Sequence, residues 1–187
     1  MLILALASLT GSTLLAQGVD TMTREGPFYV RTISAPVNGP VPVQLRIVSR
    51  GNIVLRGSAG NQVTYKLVQK VRARSEEEAK GLIGPVGTST AIFNATTLTV
   101  MPSSAPQVSN YLEVNVPNQV ALSIVEARSG SVEAYDLQGS VQVMAATGIR
   151  CDRIHANVNG YSAGGEIRLG KIGGSVQCRS GGGSIFV

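Results

Sequence analysis

The chain holds one imidazole, His155, the side chain type best suited to move a proton near neutral pH. A base of that kind needs a nucleophile or a second acid within reach, and no Ser, Thr or Cys stands at a spacing that points to it. Asp152 and Glu166 do not form a recognisable acid pair. No set of His, Cys, Asp and Glu has metal-ligand spacing. The glycines lack the strand–loop–helix setting of a phosphate-binding loop. These residues predict no enzyme, with no catalytic, cofactor-binding or metal site.

Calcium deserves a separate test, because glycine-rich nine-residue lines fill the second half of the chain. Calcium-binding β-rolls place a third Gly and an Asp at set positions in each line. In "GGEIRLGKI", Ile167 and Leu169 occupy those positions, and an ion that takes six to eight oxygen ligands finds none there. The six-residue repeat of acyltransferase helices fails too, since the apolar positions do not recur every six residues.

Binding chemistry has more to work with. Arg150, Arg153, Arg168, Lys171 and Arg179 recur through the lines and define a basic strip suited to anionic polysaccharide or lipid head groups. The same positions also read as a solvated face, with Glu–Arg pairs and a ladder of the amides Gln142, Asn159 and Gln177. No aromatic ladder is visible beside the strip, which speaks against sugar stacking and against nucleic acid. The net charge of +5 fits an anionic partner without naming one.

The elements that must position these residues follow from the lines themselves. They are SVEAYDLQG (131–139), SVQVMAATG (140–148), IRCDRIHA (149–156), NVNGYSAGG (157–165), EIRLGKIGG (166–174), SVQCRSGGG (175–183) and SIFV (184–187). Apolar columns run through alternate lines: Val132, Ile149, Ile167 and Ile185; Ala134, Cys151, Leu169 and Val187; Leu137, Ile154 and Ile172; Val141, Val158 and Val176; Val143, Gly160 and Cys178. Members of a column stand 17 or 18 residues apart. Within a line the first two apolar residues are two apart, so both point to one face of a strand. The pattern predicts a short single-stranded β-solenoid, β-helix-like, with about 18 residues per coil and about three coils. Cys151 and Cys178 then sit in inward columns of opposite sheets and read as free thiols packed as small hydrophobes.

Before the repeats, stretches such as "FYVRTIS", "NIVLRGS" and "VTYKLVQKVRA" predict ordinary antiparallel strands from about Gly26 to Met101. "SEEEAKGLI" predicts one short helix near 75–82, capped by Ser75 with Glu78 completing a capping box. "MLILALASLTGSTLLAQG" is uncharged and apolar, and reads as a signal peptide over 1–18, cleaved near Ala16. No Lys or Arg precedes it, so the leader reads as incomplete. The expected organisation is a leader (1–18), a strand-rich region (19–110) and the repeats (111–187), with no transmembrane span in the mature chain. The 43% hydrophobic and 14% charged content allows a folded core, and the 4% of aromatics with 22 glycines suits short strands and tight turns.

Residues 43–187 resemble the bacterial putative adhesin domain. The likeness rests on "QLRIVSRGNIVLRG", the "LEVNVPNQVALSI" joint with its Val-Pro turn, and lines such as "SGSVEAYDLQGSVQVMAATG". The resemblance implies a β-solenoid domain of largely unassigned function in envelope-associated and secreted proteins, with no catalytic residues to transfer. Ser, Ile or Glu follows the turn glycine here, where the family commonly has Asp or Asn. The expected role is a non-catalytic structural or interaction module of the bacterial cell envelope, located in the periplasm, at the cell surface or secreted. Its partners would be cell-surface polysaccharide, envelope components or another protein. The alternatives are a polysaccharide-binding or polysaccharide-degrading β-helix protein and an envelope-stress or signalling accessory. Ser184, Ile185, Phe186 and Val187 begin a further line in register, which implies end-to-end self-association, an array truncated at its C-terminus, or a cap folded back from the lead-in region.

Overall fold

A computed structural model describes residues 18–92 and 96–187; the leader read at 1–18 lies, apart from Gly18, outside the described residues. The described residues form β1 (Val19–Glu25), β2 (Phe28–Pro36), β3 (Gln44–Ser49), β4 (Asn52–Ser58), β5 (Thr64–Arg72), α1 (Glu76–Ile83), β6 (Gly87–Ile92), β7 (Thr96–Met101) and β8 (Val108–Pro117). They continue as β9 (Leu122–Ala127), β10 (Ser131–Tyr135), β11 (Ser140–Ala145), β12 (Gly148–Asp152), β13 (Val158–Ser162), β14 (Ile167–Leu169), β15 (Val176–Ser180) and β16 (Ile185–Phe186). The protein is all-β with mixed sheets, a nine-stranded one ordered β1-β2-β5-β8-β4-β10-β12-β14-β16 and a seven-stranded one ordered β15-β13-β11-β9-β3-β7-β6.

From β9 onward the chain crosses from one sheet to the other at every turn, and each strand pairs in parallel with the strand two places on. The register joins Val132 to Ile149, Ile149 to Ile167 and Ile167 to Ile185 in one sheet. In the other, Val141 meets Val158 and Val158 meets Val176. Ile154 bridges Ile172 at the turn between them. These are the columns that the 17- and 18-residue spacings predict. Val187 follows β16 without extending it and is exposed.

The antiparallel expectation for the first half needs correction. β1–β2, β2–β5, β5–β8 and β6–β7 are antiparallel. β3 and β4, however, lie parallel to β9 and β10 on one side and to β7 and β8 on the other. The stack therefore contains six two-strand layers, in the spatial order β7/β8, β3/β4, β9/β10, β11/β12, β13/β14, β15/β16. Ile53, Val54 and Leu55 are all buried, the two-sided burial that goes with a central parallel strand. Gly57 stands where β4 meets the repeats: a Cβ there would lie 1.8 Å from the Asp136 carbonyl oxygen, so the backbones approach only because the side chain is absent.

One apolar core runs between the sheets from Val37 to Leu169, and a smaller one (Tyr29, Val71, Ala79, Ile83 and Val108) lies at α1. The helix begins where Ser75 predicts it, with Ser75 Oγ accepting from the Glu78 amide at 3.2 Å. Glu78 reaches back one residue further than a capping box requires, accepting from the Arg74 amide at 2.7 Å.

Adjacent residues of β12 test this register. Ile149 is packed between Val132 and Ile167, and Ile149→Ala is expected to cost about 2–5 kcal/mol in urea unfolding. Its exposed neighbour Arg150→Ala should stay within about 0.5 kcal/mol of the parent. Equal losses at both positions would refute the assignment of faces.

Candidate functional site

Because the strands stack in register, each outward position forms a row across its sheet. On the nine-stranded sheet one row reads Glu113, Val54, Glu133, Arg150, Arg168, Phe186. Its acidic half is internally paired. Arg56 Nε donates to Glu113 at 2.8 Å, its guanidinium lies 5.5 Å from the Tyr135 ring, and the Tyr135 hydroxyl donates to Glu133 at 2.6 Å. Glu113 raises the Arg56 pKa. Burial, then the bond to Glu133, raises that of Tyr135. In the basic half Arg150 and Arg168 stand one rung apart. Arg168 pairs with Glu166 and lies 5.7 Å from the Phe186 ring. Arg150 has no ion-pair partner among the described residues.

The turns after β10 and β12 carry the second group. Asp136 and Arg153 occupy equivalent positions with φ of 59° and 54°, the left-handed region that few non-glycine residues enter. Their side chains meet, Arg153 Nε donating to Asp136 Oδ1 at 2.5 Å, while a terminal nitrogen of Arg153 donates to Asp152. The guanidinium holds the Asp136 carboxyl below its usual range. Asp152 Oδ1 also accepts from the Lys171 amide at 3.0 Å. Beside them lies a groove of about 510 Å³ lined by Asp136, Arg153, Ile154, His155, Lys171 and Ile172, with Gly173. His155 is thus exposed among cations and carboxylates, and the groove's lining has no hydroxyl or thiol for it to activate. Asp152 and Glu166 are each held by their own cation and not by one another. Among the described residues no group of three His, Cys, Asp or Glu is placed to hold a metal.

The five basic residues therefore divide into Arg150 with Arg168 on one face, Arg153 with Lys171 at the turn, and Arg179 on the opposite sheet. There the row reads Val48, Glu126, Met144, Tyr161, Arg179, beside the amide row Gln142, Asn159, Gln177. Single aromatic rings stand beside two of these residues: Phe186 neighbours Arg168, and Tyr161 neighbours Arg179. Phe186 was readable, since it continues the 133–150–168 spacing outward; the Arg56–Tyr135 contact joins distant stretches and leaves no local signal.

Both cysteines are free, Cys151 buried in β12 and Cys178 half-buried in β15. Cys178 is less covered than its column predicts, because among the described residues β15 is an edge strand with one neighbour. Burial, and after it the Cys178 thiol, pushes the Cys151 pKa up to about 12.

No protein-family model matches the sequence, and no curated protein matches it. Among solved structures, the chain is similar to a "putative cell adhesion protein" from Clostridium sporogenes, at 11% identity and a TM-score of 0.47, covering 91% of this chain and 98% of that one. A "putative adhesin" from Parabacteroides merdae is 10% identical at a TM-score of 0.33, covering 83% and 80%. A "putative lipid binding protein" from Parabacteroides distasonis is 10% identical at a TM-score of 0.29, covering 83% and 96%. The first two carry the kind of name borne by the family that the sequence resembles. No residue role passes from them to this chain.

The Cys151 thiol sets an alkaline dependence. An unfolded thiol ionises near 9.0 and the folded one near about 12. The folded state therefore keeps a proton that the unfolded state releases, and this stabilisation is complete below pH 9 and lost as pH rises toward 12. Chemical unfolding from pH 7 to 11 should show a steeper alkaline decline in the parent than in Cys151→Ala. Native thiol labelling should reach Cys178 first and Cys151 only on unfolding; a single reactive thiol after unfolding would contradict the assignment.

Proposed function

We propose that the chain is a non-catalytic extracytoplasmic interaction module of the bacterial cell envelope. In this reading it consists of a leader (1–18), a strand-rich region (19–110) and a short β-solenoid (111–187) whose flat outer face engages an anionic surface polymer. The observation that carries the reading is the Arg150–Arg168 pair. Two guanidinium groups held one rung apart repel each other, and among the described residues only Arg168 of the two has a carboxylate partner. Such a juxtaposition is relieved by an anion spanning both, and Arg matches carboxylate, sulfate and phosphate with a fork of donors. The Phe186 ring beside Arg168 adds a flat apolar surface, and Arg153 with Lys171 extends positive charge along the adjoining turn. Adhesion to cell-surface polysaccharide is the role that this face fits best.

A glycan array probed with the parent and with Arg150→Glu/Arg168→Glu tests the reading. Binding to acidic glycans that falls tenfold or more in the double variant, and weakens with salt, is expected. A lyase and hydrolase screen on the same polymers should show no turnover, and specific cleavage of any of them would overturn the non-catalytic reading.

A second reading rests on the edge strands. Among the described residues β15 and β16 each have one neighbouring strand, and Ile185 and Phe186 are 43% and 52% exposed. Unpaired backbone beside exposed apolar residues is a template for strand addition, here self-association through Ser184–Val187. Sedimentation should show a concentration-dependent dimer that Ile185→Lys abolishes; a clean monomer at high concentration excludes it.

A further inference from the structure

A groove of about 640 Å³ opens at one edge of the stack, where three connections far apart in sequence meet: the β3–β4 turn, the β7–β8 loop and the β9–β10 turn. We infer that this groove is a binding site for an acidic sugar residue, a ring bearing hydroxyls and one carboxylate or sulfate. The inference rests on the reading of the chain as an interaction module, and assigns it a site separate from the Arg150–Arg168 face.

The first argument is chemical. Arg50 and Arg128 both line the groove. Arg50 has no ion-pair partner among the described residues, and Arg128 gives Nε to Glu126 at 3.0 Å, which leaves its terminal nitrogens uncommitted. The hydroxyls of Ser104 and Ser109 line the groove as well, with Pro106 and Tyr111 as apolar wall. Charged donors for one anionic group, small hydroxyls for several others and a flat apolar surface for a ring face are what an acidic sugar requires.

The second argument is that the groove is prebuilt. Gly51 has φ of +85°, and a Cβ there would lie 2.5 Å from the Asn110 carbonyl oxygen, so the β3–β4 turn closes on β8 by backbone alone. The Gly51 amide donates to Ser129 Oγ at 3.1 Å, and the Arg128 amide donates to the Ser49 carbonyl at 3.0 Å. These bonds lock the two arginine-bearing turns together. The third wall is held from behind. Asn110 Nδ2 donates to the Ser103 carbonyl at 2.9 Å, and its Oδ1 accepts from Gln69 Nε2 at 3.0 Å. Gln69 is fully buried, and its Oε1 has no hydrogen-bond partner among the described residues. A buried amide left half unsatisfied calls for an explanation, and here its one bond orients Asn110 and, through it, the loop. Gln69 is thus a positioning residue for the groove.

Calorimetric titration of the full chain with three probes tests the inference: a uronic acid oligomer, a sulfated oligosaccharide and a neutral oligosaccharide of matching length. At least one acidic probe should bind tenfold or more tightly than the neutral one, and which of them does identifies the acid group. Arg50→Gln/Arg128→Gln should weaken that binding at least tenfold, with circular dichroism and urea midpoint unchanged. Gln69→Leu should weaken it while leaving the dependence on salt intact, since both cations remain. Arg150→Glu/Arg168→Glu removes the face, so the acidic binding that this variant keeps is the groove's, and adding Arg50→Gln/Arg128→Gln to it should abolish that remainder. Equal binding of all three probes, or an undiminished affinity in the Arg50/Arg128 variant, overturns the groove. Acidic binding lost only in the Arg150/Arg168 variant overturns the groove and sustains the face; no acidic binding by any form overturns both. If Arg50→Gln/Arg128→Gln does not fold, Arg50→Lys and Arg128→Lys, which keep charge but lose the fork of donors, give the same decision.

Discussion

The interaction on which everything else depends is the parallel backbone ladder repeated from layer to layer. Rungs about 4.8 Å apart bring equivalent positions of successive layers into contact. In-register stacking makes each column a shared environment, so inward columns are apolar from layer to layer apart from buried serines such as Ser123 and Ser162. The Val132–Ile149–Ile167–Ile185 column and the Val141–Val158–Val176 column are of this kind. A one-residue slip would turn Arg150 and Arg168 inward together, so the core and the ladder enforce one another.

The same stacking shapes the surface. A face that repeats in register places like beside like, and Arg150 beside Arg168 is the result. Ion pairs form along the strand, as Glu166–Arg168 and Glu126–Arg128 do, between different rows, as Arg56–Glu113 does, or within a row that changes sign, as Asp136–Arg153 does. Exposed pairs of this kind contribute about 0–1 kcal/mol each, too little to hold the fold. Buried columns of Val, Ile and Leu, each side chain worth roughly 1.5–3 kcal/mol, hold it. The charges are consequently free to vary with what the face must touch, within the limit that the turns allow. At Asp136 and Arg153 that limit is visible: the left-handed backbone positions are bridged by the side chains they carry.

What could be read from the residues follows from where the repeat is regular. Spacings of 17 and 18 identify the columns from Val132 to Ile185 because their partners are one turn of chain away. β3 and β4 escape the same logic. Ile53 pairs with Val132 and Leu45 with Ser123, across stretches that include a helix, a hairpin and one other layer. The layer formed by β7 and β8 is then added outside β3/β4 and not between it and β9/β10, an order that no spacing announces. The face was half legible. Glu133, Arg150 and Arg168 formed a visible column that Phe186 extends, whereas the pairing of Arg56 with Tyr135 appears only once β4 lies beside β10. The groove was not legible at all, since Arg50, Asn110 and Arg128 belong to three connections brought together by those same long-range ladders.

The two candidate sites differ in kind because they arise from different parts of this architecture. A flat face of exposed guanidinium groups acts through long-range attraction, governs encounter, and loses strength as salt screens it. It places little demand on the shape of its partner. The groove is made where loops leave the ladder, and its walls are fixed by glycine close approach and by a buried amide. A preorganised site loses less freedom on binding and so discriminates by fit. A module with both would gather an acidic polymer on the face and recognise individual residues of it at the edge. That division of labour rests on charge at the face and on fit in the groove.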